Sequence, residues 1–127
     1  MKDADGPADI TRAFEAHAVD NSRFHHAEHV RVAFDLLRKL DFVEAAATYA
    51  NGIRAIATKA GAPQKFNLTI TYAFMSLIAE RMAAMPQAGF EEFVSANPDL
   101  MSKSALAGRY SDERLHSDTA RRVFLLP

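Results

Sequence analysis

The sequence predicts an all-α fold in a single domain, and three observations support this prediction. The length of 127 residues is typical of a chain that folds around one core. Only five glycines and five prolines interrupt the chain. Between them, apolar residues recur at spacings of three and four, which is the period of a helix. We therefore expect one helical domain over residues 1–127: a bundle of four to five main helices, short helical pieces in the C-terminal tail, and a flexible start at residues 1–8.

Three helices are expected in the first half of the chain. They span residues 7–19, 23–40 and 41–60. The turn-forming residues 20–22 (Asp-Asn-Ser) separate the first helix from the second. The second and third have almost no link between them, so they should pack as antiparallel neighbours. Gly61 and Pro63 follow the third helix, as a glycine cap and a proline stop.

The fourth predicted helix, residues 66–85, carries apolar side chains around almost its whole circumference. A helix of this kind is normally surrounded by other helices, so we expect it at the centre of the bundle. A shorter helix should follow Pro86, over residues 90–96. Asn97 is expected to cap the next helical turn, which Pro98 opens.

The C-terminal tail consists of short pieces. Ser111 and Ser117 each precede acidic residues, an arrangement typical of helix N-caps followed by carboxylates in the first turn. Residues 123–126 are apolar enough that we expect them to dock on the rest of the fold.

Composition and charge exclude several classes of protein. Lys and Arg total 15 and Asp and Glu total 16, a net charge of −1, so no overall field attracts nucleic acid or an anionic membrane. A chain with no cysteine has no disulfide, thiolate nucleophile or cysteine-bound metal. No stretch has the roughly 18 apolar residues of a transmembrane helix, and the N-terminus lacks the apolar part of a signal peptide. We expect a cytoplasmic protein with no nucleic-acid or membrane partner.

A cluster of three histidines stands near the start of the second predicted helix, in or beside its apolar sector. His25 and His29 are four residues apart and His26 and His29 are three apart, which brings their Cβ atoms within about 5–6 Å on one helix surface. Imidazoles at this spacing act as metal ligands or as general bases. The motif of zinc proteases needs Glu directly after the first His, a place that His26 occupies. The alternative is that each ring is buried, neutral and bonded to a carbonyl or hydroxyl.

Polar residues also interrupt the apolar fourth helix. Asn67, Thr71 and Arg81 fall on one of its sides, and a buried polar row needs partners. We expect these three to face the histidines and to bind a substrate in a pocket between the two helices. The alternative for Thr71 is a hydrogen bond back to the carbonyl of Asn67 within the helix.

A divalent metal, zinc or iron, is one interpretation of the cluster. His25 and His29 would be its first ligands, joined by His116 or Asp118 of the tail, and with Asp118 the set would be two histidines and one carboxylate. In the alternative interpretation, these tail residues are helix caps and surface groups.

Three motifs stand within residues 24–127. The first is Phe-His-His-x-x-His-x-Arg beginning at Phe24, and the second is Thr-Ile-Thr beginning at Thr69. The third is a tail motif, Arg-Tyr-Ser beginning at Arg109 followed by Ser-Asp-x-Ala-Arg-x-x-Phe-x-x-Pro beginning at Ser117. On these motifs the sequence resembles a family of small, all-helical bacterial proteins of uncharacterised function. The resemblance implies a helical fold and shared polar positions, and it implies no particular reaction. Relatives carry His-Glu where this chain has Asn67 and Leu68, so a metal site built on that pair would be lost here.

Two hypotheses about function follow. The first is a small-molecule enzyme or ligand-binding protein, in which an imidazole of His25, His26 or His29 serves as general base or metal ligand. The second is a non-catalytic accessory protein, a homodimer, whose histidines form a buried structural network.

Overall fold

A computed structural model describes residues 8–102 and 104–127 of the chain. Its helices are α1 (Asp9–Glu15), α2 (His26–Lys39), α3 (Phe42–Lys59), α4 (Leu68–Ala83), α5 (Phe90–Ala96), α6 (Asp112–Leu115) and α7 (Asp118–Arg122). Three 3-10 turns lie at Asn21–Arg23, Pro63–Lys65 and Pro98–Met101. The described residues contain no strand, so the all-α prediction is confirmed. The flexible start predicted at residues 1–8 lies outside the described residues except for Ala8, whose backbone N–H donates to Asp35 at 2.9 Å.

The helix ends follow local chemistry. A 3-10 turn capped by the side chain of Asp20 occupies residues 21–23, so α2 begins three residues later than predicted. The link between α2 and α3 is short, and Asp41 caps α3 by accepting from the N–H of Glu44 at 2.8 Å. Gly61 follows α3 with φ +77°, a left-handed conformation that glycine adopts without strain. Ser111 and Ser117 cap α6 and α7 as predicted.

Helix α2 is buried on more sides than its sequence pattern predicts. The pattern places Asp35 in a polar sector, whereas its side chain is only 5% exposed. Helix α1 covers this part of α2, and the hydroxyl of Thr11 donates to Asp35 at 2.7 Å. The guanidinium of Arg31 donates to both carboxylate oxygens at 3.1 Å. A carboxylate that pairs with a second helix is therefore buried among apolar neighbours without losing its hydrogen bonds.

Helix α4 packs against α2, α3 and α7, and it shares the centre of the bundle with α2, which packs against α1, α3, α4 and the 3-10 turn Pro98–Met101. Its buried residues are Thr69, Thr71, Ala73, Phe74, Met75, Leu77 and Ile78. No helix in the described residues combines the length and hydropathy needed to cross a membrane.

The last residues of the chain dock on α4 through their backbone. The hydroxyl of Thr69 donates to the carbonyl of Val123 at 2.6 Å and accepts from the N–H of Leu125 at 3.0 Å. The hydroxyl of Tyr110 donates to the carbonyl of Leu125 at 2.8 Å. The side chains of Phe124 and Leu126 are 44% and 69% exposed. The predicted docking is thus confirmed, but polar bonds to the backbone hold the segment more than its apolar side chains do.

Replacing Thr69 with valine is expected to lower the free energy of unfolding by about 1–3 kcal/mol, because the shape is kept while two backbone groups lose a buried partner. Urea denaturation measures the change. Thr58→Val, at an exposed position on α3, is the matched control. An equal, small effect of both substitutions would show that the hydroxyl of Thr69 does not hold the segment.

Candidate functional site

A cavity of about 710 Å³ opens between the first turns of α2 and α4. The middle of α3 and residues 102, 105 and 106 complete its wall. Its aromatic and aliphatic lining consists of Phe24, Ala27, Tyr49, Ile53, Phe66, Ile70, Phe74, Ala105 and Leu106. Its remaining lining residues carry polar side chains: His25, His26, His29, Lys65, Asn67, Thr71 and Ser102.

The structure brings together five of the residues predicted for the site. His25, His26, His29, Asn67 and Thr71 all line this cavity. The other three predicted residues, Arg81, His116 and Asp118, lie elsewhere. The histidines of α2 therefore lie beside the polar start of α4, as predicted. Arg81 at the far end of α4 and the two tail residues are not part of this cavity.

His25 lies at the opening of the cavity, at the N-cap position of α2. Its side chain is 73% exposed, and Nδ1 lies 3.6 Å from Oε1 of Glu28. The same carboxylate accepts from the backbone N–H of His25 at 2.8 Å. Glu28 thereby stabilises the first turn of α2, and the ring of His25 is left in contact with solvent.

His26 connects α2 to the 3-10 turn Pro98–Met101. Its Nε2 donates to the carbonyl of Leu100 at 2.9 Å, and its ring centroid lies 5.6 Å from that of Phe74. The donating Nε2 leaves Nδ1 as the acceptor nitrogen of the neutral ring. This ring fits the alternative interpretation of a histidine bonded to a main-chain oxygen. We therefore assign His26 the role of positioning the Pro98–Met101 turn against α2.

His29 forms the second polar contact of the cavity wall, with Tyr49 of α3. Its Nδ1 lies 3.2 Å from the hydroxyl of Tyr49, and its ring centroid is 4.4 Å from that of Phe24. Tyr49 is 2% exposed, and burial raises the pKa of its hydroxyl far above the usual value for tyrosine. The phenol therefore keeps its proton, and the tautomer of His29 sets which of the two groups donates in the hydrogen bond between them.

Asn67 and Thr71 have structural partners of their own. The amide oxygen of Asn67 caps α4 by accepting from the N–H of Ile70 at 2.9 Å, and its Nδ2 donates to the carbonyl of Leu115 at 2.9 Å. The hydroxyl of Thr71 donates to the carbonyl of Asn67 at 2.7 Å, as the alternative interpretation predicts. Toward a bound molecule, Thr71 therefore offers the lone pairs of its oxygen and not its proton.

Arg81 does not face the histidines, contrary to prediction. It donates to both oxygens of Asp99 at 3.0 and 2.9 Å and to Oδ1 of Asn97 at 2.8 Å. This pairing holds the pKa of the Asp99 carboxyl below its usual value and raises the pKa of Arg81. Arg81 shares a helix side with Thr71 but stands ten residues later, about 15 Å along the axis. The side chain of Asn97 accepts from Arg81 and donates to the carbonyl of Phe93. It therefore does not cap the turn Pro98–Met101, contrary to the prediction from the sequence.

The tail does not supply a metal ligand to the cavity. His116 is exposed, with Nε2 3.5 Å from Asp112, and Asp118 pairs with Arg121. Within residues 8–102 and 104–127, no group of three or more His, Asp or Glu side chains is placed to hold a metal ion. The tail helices pack on α4 and turn both side chains toward solvent, so the predicted set of two histidines and one carboxylate is not assembled. Binding of zinc or iron by His25 and His29 alone stays a prediction.

Sequence reasoning missed Tyr49 and Lys65. The buried face of α3 around Tyr49 is otherwise built from small residues, namely Ala45, Ala46, Ala50 and Gly52. A single tyrosine on such a face has room to reach a neighbouring helix, and its buried hydroxyl needs a partner there. That signal points to Tyr49. Nothing local distinguishes Lys65 from the other exposed lysines.

Tyr49 makes the stability of the fold sensitive to alkaline pH. Its raised pKa in the folded state means that the unfolded chain releases the proton first, from about pH 10 upward. We therefore expect the free energy of unfolding to fall as the pH rises above about 10, and to fall less in Tyr49→Phe. Burial raises the pKa of Tyr110 as well, so part of the decline remains in that variant.

Thermal melting across alkaline pH, with ultraviolet absorbance of tyrosinate, measures this decline. Tyr72→Phe is the control. Ionisation of all three tyrosines near pH 10 in the folded protein would contradict the prediction.

Comparison with known proteins supplies no relative for this site. No family model matches the sequence, and neither a curated protein nor a solved structure matches it. The resemblance drawn from the sequence motifs thus stays an expectation, and the assignment of the site depends on its geometry.

Proposed function

We propose that this protein binds a small organic molecule in the histidine-lined cavity between α2 and α4. The observation that carries the proposal is that all three clustered histidines line one cavity of about 710 Å³. This volume is within the range of about 300–1,000 Å³ found for small-molecule sites. Mostly apolar walls with a few placed polar groups are also the usual composition of such sites.

Hydrogen bonds within the protein hold the polar side chains of the cavity wall. His26, His29, Asn67 and Thr71 each have hydrogen-bond partners inside the protein. Among the described residues, every buried side-chain nitrogen and oxygen has such a partner. A molecule that enters meets fixed rings and does not have to order them, which reduces the entropic cost of binding.

If the bound molecule reacts, His29 is the residue that we expect to transfer the proton. Its imidazole lies against the phenol of Tyr49. In the tautomer whose Nδ1 donates to the oxygen of Tyr49, Nε2 has the lone pair that can take a proton from a ligand, and the phenol orients the ring. His25 lies at the opening and His26 holds the turn at Leu100, so in this proposal both position other groups.

The second candidate function, a structural histidine network in an accessory protein, is favoured by two specific contacts. His26 joins α2 to the Pro98–Met101 turn and His29 joins α2 to α3. In this case the histidines contribute to stability and the cavity stays without a ligand. The homodimer and the cytoplasmic location expected from the sequence stay predictions, and light scattering on the purified protein tests the first.

Binding of the neutral fluorescent probe N-phenyl-1-naphthylamine separates the two functions. We expect its fluorescence to rise on addition of the protein, with micromolar affinity. Ala105→Trp, inside the cavity wall, should weaken binding at least about tenfold by filling the space that the probe needs. Ala107→Trp, at an exposed position, should leave it unchanged.

Two outcomes would overturn the proposal. One is the absence of a fluorescence increase, together with no thermal stabilisation by any member of a metabolite library. The other is equal binding by Ala105→Trp and the wild type. If His29→Gln then lowers only the melting temperature, the structural network accounts for the cluster.

A further inference from the structure

We infer that the cavity takes an organic anion, a carboxylate carried on a flat hydrophobic ring. This inference rests on the proposed function and names the class of its ligand. The ring would lie among the aromatic walls, and the carboxylate would point to the opening, beside Lys65.

Charge is distributed unequally between the opening and the interior. Lys65 and His25 line the cavity and are both exposed. Among the described residues that line it, none is Asp or Glu. Glu28 lies outside the lining, where its carboxylate accepts from the backbone of α2. The opening therefore presents a cation and a histidine to a ligand, with no lining carboxylate to repel an anion.

A second cation stands behind the same edge. The guanidinium carbon of Arg54 lies 5.7 Å from the centroid of the Phe66 ring, and Phe66 follows Lys65 directly in the wall. Arg54 is outside the lining, so it adds positive potential at the opening without occupying the space of a ligand.

The interior of the cavity is suited to an aromatic ring and not to a charged group. The rings of Phe24 and His29 pack 4.4 Å apart, and those of Phe74 and His26 pack 5.6 Å apart. Flat faces and edges at these distances favour an aromatic guest. The proton of Thr71 is donated within α4, so it does not solvate a buried carboxylate. An anionic head placed inside would lose its hydration without gaining a cation, whereas at the opening it keeps both.

The test compares 2-naphthoate with 2-naphthamide, two probes of nearly equal shape that differ in charge. Displacement of N-phenyl-1-naphthylamine at low ionic strength reports both affinities. We expect the carboxylate to bind about tenfold more tightly than the amide, and the ratio to shrink as salt is added. Lys65→Gln should weaken naphthoate about fivefold and leave naphthamide within about twofold. Lys59→Gln, another exposed lysine that lies outside this cavity, should change neither.

The outcomes separate this inference from the proposed function. Equal or tighter binding of the amide overturns the inference and leaves the binding site in place. The inference is also overturned if the protein binds N-phenyl-1-naphthylamine but neither 2-naphthoate nor 2-naphthamide displaces it. An unchanged ratio of the naphthoate and naphthamide affinities in Lys65→Gln overturns the inference as well. Failure of all three probes, together with no thermal stabilisation by any member of the metabolite library, overturns the proposed function itself. Lys65 is exposed, so its replacement is not expected to unfold the protein.

Discussion

Replacing Asp35 with alanine is expected to lower the free energy of unfolding by about 3–5 kcal/mol, the cost of removing one partner of a buried ion pair. The carboxylate accepts from the hydroxyl of Thr11, the N–H of Ala8 and the guanidinium of Arg31. The substitution leaves these donors without their acceptor, and the first two lie where α1 meets α2. Because α1 has only seven residues, it depends on its contacts with the rest of the fold, and this is the polar one.

Urea denaturation measures the total loss, and amide hydrogen exchange locates it. Protection should disappear from α1 before it disappears from α4. Asp9→Ala removes a carboxylate that is fully exposed and pairs with Arg12, and it should cost well under 1 kcal/mol. A loss in Asp35→Ala no larger than this control would mean that the buried carboxylate does not hold α1.

Replacing Gly52 with leucine is expected to lower the free energy of unfolding by about 2 kcal/mol, because an overpacking cost of about 3 kcal/mol outweighs the roughly 1 kcal/mol that a helix gains when glycine is replaced. A Cβ at Gly52 would lie 2.2 Å from the tip of the Phe14 ring. Phe14 is 2% exposed and has little room to move. Its ring stacks on Phe24 at 5.7 Å and on Tyr49 at 5.8 Å between centroids.

The same substitution should reach the cavity, since Phe24 and Tyr49 are part of its wall. We expect Gly52→Leu to weaken binding of N-phenyl-1-naphthylamine at a temperature where the variant is still folded. Gly108→Leu is the control, because no atom lies within 4 Å of the added Cβ there. Wild-type stability and binding in Gly52→Leu would show that Phe14 can move aside and does not brace the wall.

Local patterns predicted the part of the site that lies close together in sequence. The spacing of His25, His26 and His29 put three rings near one another on α2, and the polar start of α4 pointed to Asn67 and Thr71. The structure places all five in the lining of one cavity. These residues belong to the first turns of two helices, so an error of a residue or two in a helix end did not separate them.

The same reasoning failed where distance along a helix or a second covering helix mattered. A projection down the α4 axis shows Arg81 beside Thr71, although three turns separate them. A projection of α2 shows Asp35 as polar and exposed, although α1 buries it. Such projections lack the axial coordinate and contain no information about which neighbour packs on the polar side.

By itself, the sequence determined the all-α class, the serine caps of the tail and the presence of a histidine cluster. All of these depend on interactions between residues a few positions apart. Only the tertiary structure decided that His26 bonds to Leu100, that His29 meets Tyr49, and that Lys65 stands at the opening. These partners come from separate elements, and burial of apolar surface over the whole chain brings those elements together.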